Sequence, residues 1–147
     1  MTAVELINKI DEIKEHDIFG YWKAIEYEAE EIPLVQTIRA YDKSNTYISL
    51  LTIVFPDDNL KVTKLSFVFS GTWRFKDKTI VTILDEFKIE DNDTQKYLSD
   101  NPDVMVHLTE QFSSLLNSEQ IHKIIDLTKS TLQTECEGEL TVLQRQE

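Results

Sequence analysis

Two Gly-x-Trp triplets constrain this chain more than anything else in it. The first, Gly20-Tyr21-Trp22, follows a segment of helical spacing. The second, Gly71-Thr72-Trp73, sits inside the longest alternating run of the sequence. Gly71 falls on the apolar face of that run and removes a side chain there, which predicts a bend, a bulge or room for a neighbouring aromatic ring. A third element, Arg145, ends an alternating segment near the C-terminus. Together they predict an antiparallel barrel with one end closed by an aromatic ring and an arginine.

The remaining pattern agrees. Residues 3–16 space Val4, Ile7, Ile10 and Ile13 along one face, with Asn8, Lys9, Asp11 and Glu12 opposite, and Thr2 and Glu5 are placed to form a capping box; this predicts an N-terminal helix. From residue 20 the period changes to two. Strands are expected over Tyr21–Glu28, Leu34–Tyr41, Thr46–Phe55, Leu60–Phe75 and Thr79–Ile89, separated by turn clusters such as Asp42-Lys43-Ser44-Asn45 and Pro56-Asp57-Asp58-Asn59. The long fourth run carries Leu65, Phe67, Phe69, Trp73 and Phe75 on one face and Lys64, Ser66, Ser70, Thr72 and Arg74 on the other, so one face meets a core and the other meets water. Asp91 to Pro102 reads as a polar loop with a helical turn. Leu108, Phe112, Leu115 and Leu116 recur at helical spacing within 103–117. Residues 118–127 fit either a helix or a strand, and the β-branched residues beyond them favour a strand. Thr131–Cys136 and Glu139–Arg145 form a final hairpin about Glu137-Gly138. About eight strands with short turns make a mainly β, up-and-down antiparallel barrel or a strongly curved sheet, in one domain spanning 1–147. An α+β curved sheet with the N-terminal helix packed into its concave side is the alternative.

In these features the chain resembles the lipocalin-like (calycin) group. The resemblance rests on Gly20-Tyr21-Trp22 after a short helix, on Ser70-Gly71-Thr72-Trp73-Arg74-Phe75 leading into a hairpin, and on the closing Leu140-Thr141-Val142-Leu143-Gln144-Arg145. In that group a tryptophan of the first strand lies across the barrel end and a basic residue of the last strand packs over it. The resemblance therefore implies that Trp22 and Arg145 form the plug. The helical segment before the last strands departs from the group, and a single cysteine, Cys136, rules out the internal disulfide of many secreted members.

Composition narrows the function. The net charge of −12 disfavours nucleic acid and anionic membranes and permits a cationic ligand or a basic partner. The first residues lack the basic-then-apolar order of a signal peptide, so a cytoplasmic protein is expected. Three glycines, at 20, 71 and 138, are too dispersed for a phosphate-cradling loop. His16, His107 and His122 have no partners at metal-ligand spacing, so no metal, cofactor or catalytic residue is expected. His122 alternates with the apolar face of its strand. Cys136, between Glu135 and Glu137, reads as inert.

The candidate ligand-binding residues are Glu26, Glu28, Arg39, Phe67, Phe69 and Trp73. Glu26 and Glu28 share a strand face with Trp22; they either line the mouth of a cavity and hold a cationic group, or form an exposed rim. Arg39 would orient an anionic head group. The aromatic set either walls a cavity or fills it. Two functions are compatible with this pattern: a module that binds a small hydrophobic molecule, cationic in the Glu26/Glu28 reading, or a filled barrel acting through an outer face or a homodimer contact. No catalytic constellation appears at recognisable spacing.

Overall fold

The computed structural model describes residues 13–26, 34–56 and 62–146. Eight strands form one closed barrel: β1 (Gly20–Glu26), β2 (Leu34–Tyr41), β3 (Thr46–Pro56), β4 (Val62–Lys76), β5 (Thr79–Lys88), β6 (Glu119–Leu127), β7 (Thr131–Cys136) and β8 (Glu139–Gln146). Each strand pairs antiparallel with its successor, and β8 pairs back with β1 through Trp22–Arg145 and its neighbours. Closure leaves no strand edge free to recruit another chain. Of the expected N-terminal helix, residues 3–12 lie outside the described residues. Between residue 13 and β1 the chain forms a single 3-10 turn, Glu15–Asp17. Among the described residues, no helix is long and apolar enough to cross a membrane.

The period-two pattern explains the wall. On β4 the apolar set Leu65, Phe67, Phe69 and Trp73 is buried, while Thr72 and Arg74 are exposed. The register of β4 on β5 slips between Ser70 and Gly71. A Cβ on Gly71 would stand 1.8 Å from the Ile83 carbonyl oxygen, so the two backbones meet at a distance only glycine permits. The β4–β5 hairpin turns on Asp77 and Lys78, both left-handed, at φ 51° and 61°. Two positive φ values in a two-residue loop match the twist of the flanking strands. The β2–β3 turn is held by Asp42, whose carboxylate accepts from the Ser44 amide at 3.0 Å.

Two helices precede β6: α1 (Asn92–Asp100) and α2 (Pro102–Leu115). The second falls where helical spacing predicts it; α1 occupies the segment expected to be a polar loop with a helical turn. Asp91 caps α1, accepting from the Thr94 amide at 3.2 Å and from its hydroxyl at 2.7 Å. The same hydroxyl accepts from the Ser66 amide at 3.0 Å, which ties α1 to β4. Pro102 opens α2, where its missing N–H is no loss.

Candidate ligand site in the barrel

One end of the barrel is sealed. The Trp22 ring is fully buried, and its Nε1 donates to the Ile18 carbonyl at 2.8 Å. The Arg145 guanidinium lies over this ring, 4.2 Å from its centroid. Its Nη2 donates to the Asp17 carbonyl at 2.7 Å, Nη1 to the Phe19 carbonyl, and Nε to the Lys129 carbonyl at 2.9 Å. One side chain thus clamps the incoming chain and the β6–β7 turn onto the plug. Gly20 fits this geometry, with φ of +121° and room for a Cβ only 3.0 Å from Arg145 Nη1. Trp73 belongs to the same end. It donates from Nε1 to the Asp42 carbonyl at 2.8 Å and meets Phe19 and Tyr41 edge-on at 5.9 and 5.3 Å between ring centroids.

Towards the opposite end, helix α2 inserts an aromatic stopper. Phe112 packs against Phe67, Phe69 and Phe87 at 4.9, 5.0 and 5.5 Å, all near edge-to-face. This geometry suits the ring quadrupoles. Phe67, Phe69 and Trp73, expected as ligand-lining residues, are therefore packed on other protein groups. The aromatic set fills the barrel on this side.

Between plug and stopper the interior turns polar. Register places Arg39 of β2 opposite Ser49 of β3, and Thr134 of β7 opposite Thr141 of β8. Ser49, Thr82, His122 and Thr134 are buried. Thr82 Oγ1 and His122 Nε2 stand 3.5 Å apart. Burial, reinforced by the positive charge of Arg39, pushes the His122 imidazole down to about 4, so it is neutral near pH 7.

This belt opens to solvent through a cavity of about 490 Å³. Its walls come from the end of α2 (Ser114, Leu115), the start of β6 (Ser118, Glu119, Gln120) and the β7–β8 turn with its flanks (Cys136, Glu137, Glu139, Thr141). Arg39 and His122 form the inner surface. Arg39 is always charged near neutrality, yet its Nη1 is sealed from water and has no hydrogen-bond partner; the buried Tyr41 hydroxyl has none either. The two groups lie close enough to influence each other's ionisation, the guanidinium opposing the effect of burial on the phenol. Burial pushes the Tyr41 phenol upward, so it stays protonated and able to donate. No acidic side chain among the described residues forms an ion pair with Arg39. Burial and Glu137 raise the Cys136 thiol, in keeping with an inert cysteine.

Of the residues singled out from sequence, Arg39 lines this cavity and Trp22 and Arg145 sit together at the plug. Glu28 and the side chain of Glu26 lie outside the described residues. The sequence pattern did not single out Thr82, Thr134 or Ser49 as buried polar residues. The available signal was a polar residue in the inward phase of an otherwise apolar strand, as at Thr82 between Ile80 and Leu84 or Thr134 after Leu132.

No protein-family model matches the sequence, and none of the curated proteins does. Solved structures that resemble the chain include two from Bacteroides species. A lipocalin-like protein from Bacteroides uniformis is 16% identical, covering 88% of this chain and 99% of that one, with a TM-score of 0.45. An uncharacterized protein from Bacteroides eggerthii is 17% identical, covering 87% and 98% respectively, with a TM-score of 0.47. The barrel is lipocalin-like. That description rests on this chain's own closed eight-stranded topology and on the arginine seated over the first-strand tryptophan.

Proposed function

We propose that this lipocalin-like barrel is a binding module that takes a small organic molecule through the mouth beside α2, with an anionic group of the ligand against Arg39. The observation that carries this reading is the Arg39 side chain, which lines a solvent-connected cavity and forms no ion pair with an acidic side chain among the described residues. A buried cation without a counter-charge is costly, and a carboxylate arriving with the ligand removes that cost. The character of the walls supports a polar ligand over the hydrophobic one expected from sequence. Among the described residues, Leu115 is the one aliphatic residue lining the mouth, and the large aromatics are packed on one another.

Native mass spectrometry of protein taken directly from its host tests the reading. A bound small acid in the wild type that is absent from Arg39→Met supports it. The same adduct in both proteins refutes it.

A second reading, in which the outer wall makes a protein or homodimer contact, draws on Leu140 and Val142 of β8, 61% and 53% exposed, and on Tyr21 of β1, 60% exposed. Sedimentation of wild type against Leu140→Lys would detect such a contact as a change in mass.

A further inference from the structure

The cavity carries a second feature that an anion-binding site does not require. Its rim is acidic: Glu119, Glu137 and Glu139 line the same space that Arg39 closes from within. Glu119 is bound to Arg74, which donates to its carboxylate at 2.9 Å. Glu137 and Glu139 flank the β7–β8 turn, and no cation among the described residues forms an ion pair with either. Charge therefore reverses along one path, from negative at the rim to positive at the inner surface. On a chain of net charge −12, a simple anion must pass the least favourable part of this field before it reaches the guanidinium.

We infer that the ligand is a zwitterion with separated charges, entering acid-first, its carboxylate against Arg39 and its cationic group at Glu137 and Glu139. This inference rests on the binding reading above and adds the second charge. Such a molecule has no net charge and escapes the repulsion that opposes an anion. The two contacts differ in kind. The inner one is shielded from water and little affected by salt. The outer one lies between solvated groups and is worth far less. Deleting the rim carboxylates should weaken a zwitterion about fivefold, the scale of two exposed ion pairs. Deleting Arg39 should abolish measurable binding.

Calorimetric titration with ω-amino carboxylic acids of increasing chain length, beside the fatty acids and alkylamines of matched length, decides the matter. The expected result is a best length at which the amino acid binds at least about fivefold tighter than the matched fatty acid. That advantage should vanish in Glu137→Gln/Glu139→Gln and in high salt, while fatty-acid binding stays unchanged or improves. Both side chains are on the surface, so the double variant should fold, and its unfolding curve checks this. If fatty acids bind to wild type as tightly as the amino acids, the inference is overturned and the anion reading stands. If the alkylamines bind as well as the amino acids, or if nothing in the three series binds, both fall.

Discussion

Replacing Arg145 with alanine should be among the most damaging single changes outside the core. The side chain donates to the carbonyls of Asp17, Phe19 and Lys129 and lies 4.2 Å over the Trp22 ring. Hydrogen bonds from a charged donor contribute about 1.5–3 kcal/mol each when shielded. The Asp17 and Phe19 bonds are partly buried, whereas the Lys129 bond is exposed and counts for little. The cation–π contact adds about 0.5–2 kcal/mol. Water will recover part of the loss once the side chain is gone, which brings the expected destabilisation to about 3 kcal/mol. For a chain of this length that corresponds to about 6–12 °C in Tm. Urea unfolding followed by tryptophan fluorescence measures it well, because both tryptophans are buried. Arg145→Lys keeps a cation over the ring but cannot fork across two carbonyls, so it should recover about half of the loss. A loss below about 1 kcal/mol for Arg145→Ala, or full recovery with lysine, would refute the clamp.

Other parts of the barrel give three further expected outcomes. Gly71→Ala should unfold the protein or lower its stability by more than about 3 kcal/mol, since the new methyl would overlap the Ile83 carbonyl; circular dichroism melts check this. Phe112→Ala should cost about 3–5 kcal/mol and open the stoppered side to an environment-sensitive apolar dye that wild type excludes. Stability should fall on acidification because of His122. Its folded imidazole resists protonation down to about 4 while the unfolded one accepts a proton near 6.5, so the unfolded chain binds more protons in between. That contribution, about 3 kcal/mol, is complete above pH 6.5 and lost as the pH approaches 4. Urea midpoints across this range should be nearly flat in His122→Asn.

Much of the barrel was legible because its information is local. Strict alternation over β4 places Phe67, Phe69 and Trp73 inside whatever their neighbours do, and the turn residues between strands fix where each run ends. Even the ambiguous run 118–127 becomes a strand once β5 and β7 offer partners on both sides. Helix α1 was legible only as a helical turn within a loop. Tyr97 and Leu98 are its only large apolar residues, and it is held by the Asp91 cap and by Thr94 bonding to β4, a contact between residues 28 apart in sequence. The ligand site was half visible. Arg39 stands out as a charge in an apolar strand, but His122, which lines the same cavity, and Thr82, 3.5 Å from that imidazole, come from two other strands, and only closure of the barrel brings them together. For the same reason the sequence leaves open whether the aromatic residues wall a cavity or fill it. Nothing near Phe67 or Phe69 in sequence announces that Phe112 will occupy the space between them and Phe87.

Arg145 and Arg39 are thus assigned opposite roles: Arg145 holds the fold, and Arg39 waits for a ligand. Equilibrium urea unfolding of ligand-free Arg39→Met separates these roles most directly. A buried cation without a counter-charge contributes nothing to stability, so the methionine variant should be as stable as wild type or more stable. A loss of more than about 2 kcal/mol would mean that the Arg39 guanidinium is already satisfied within the protein, and would contradict its assignment to a ligand.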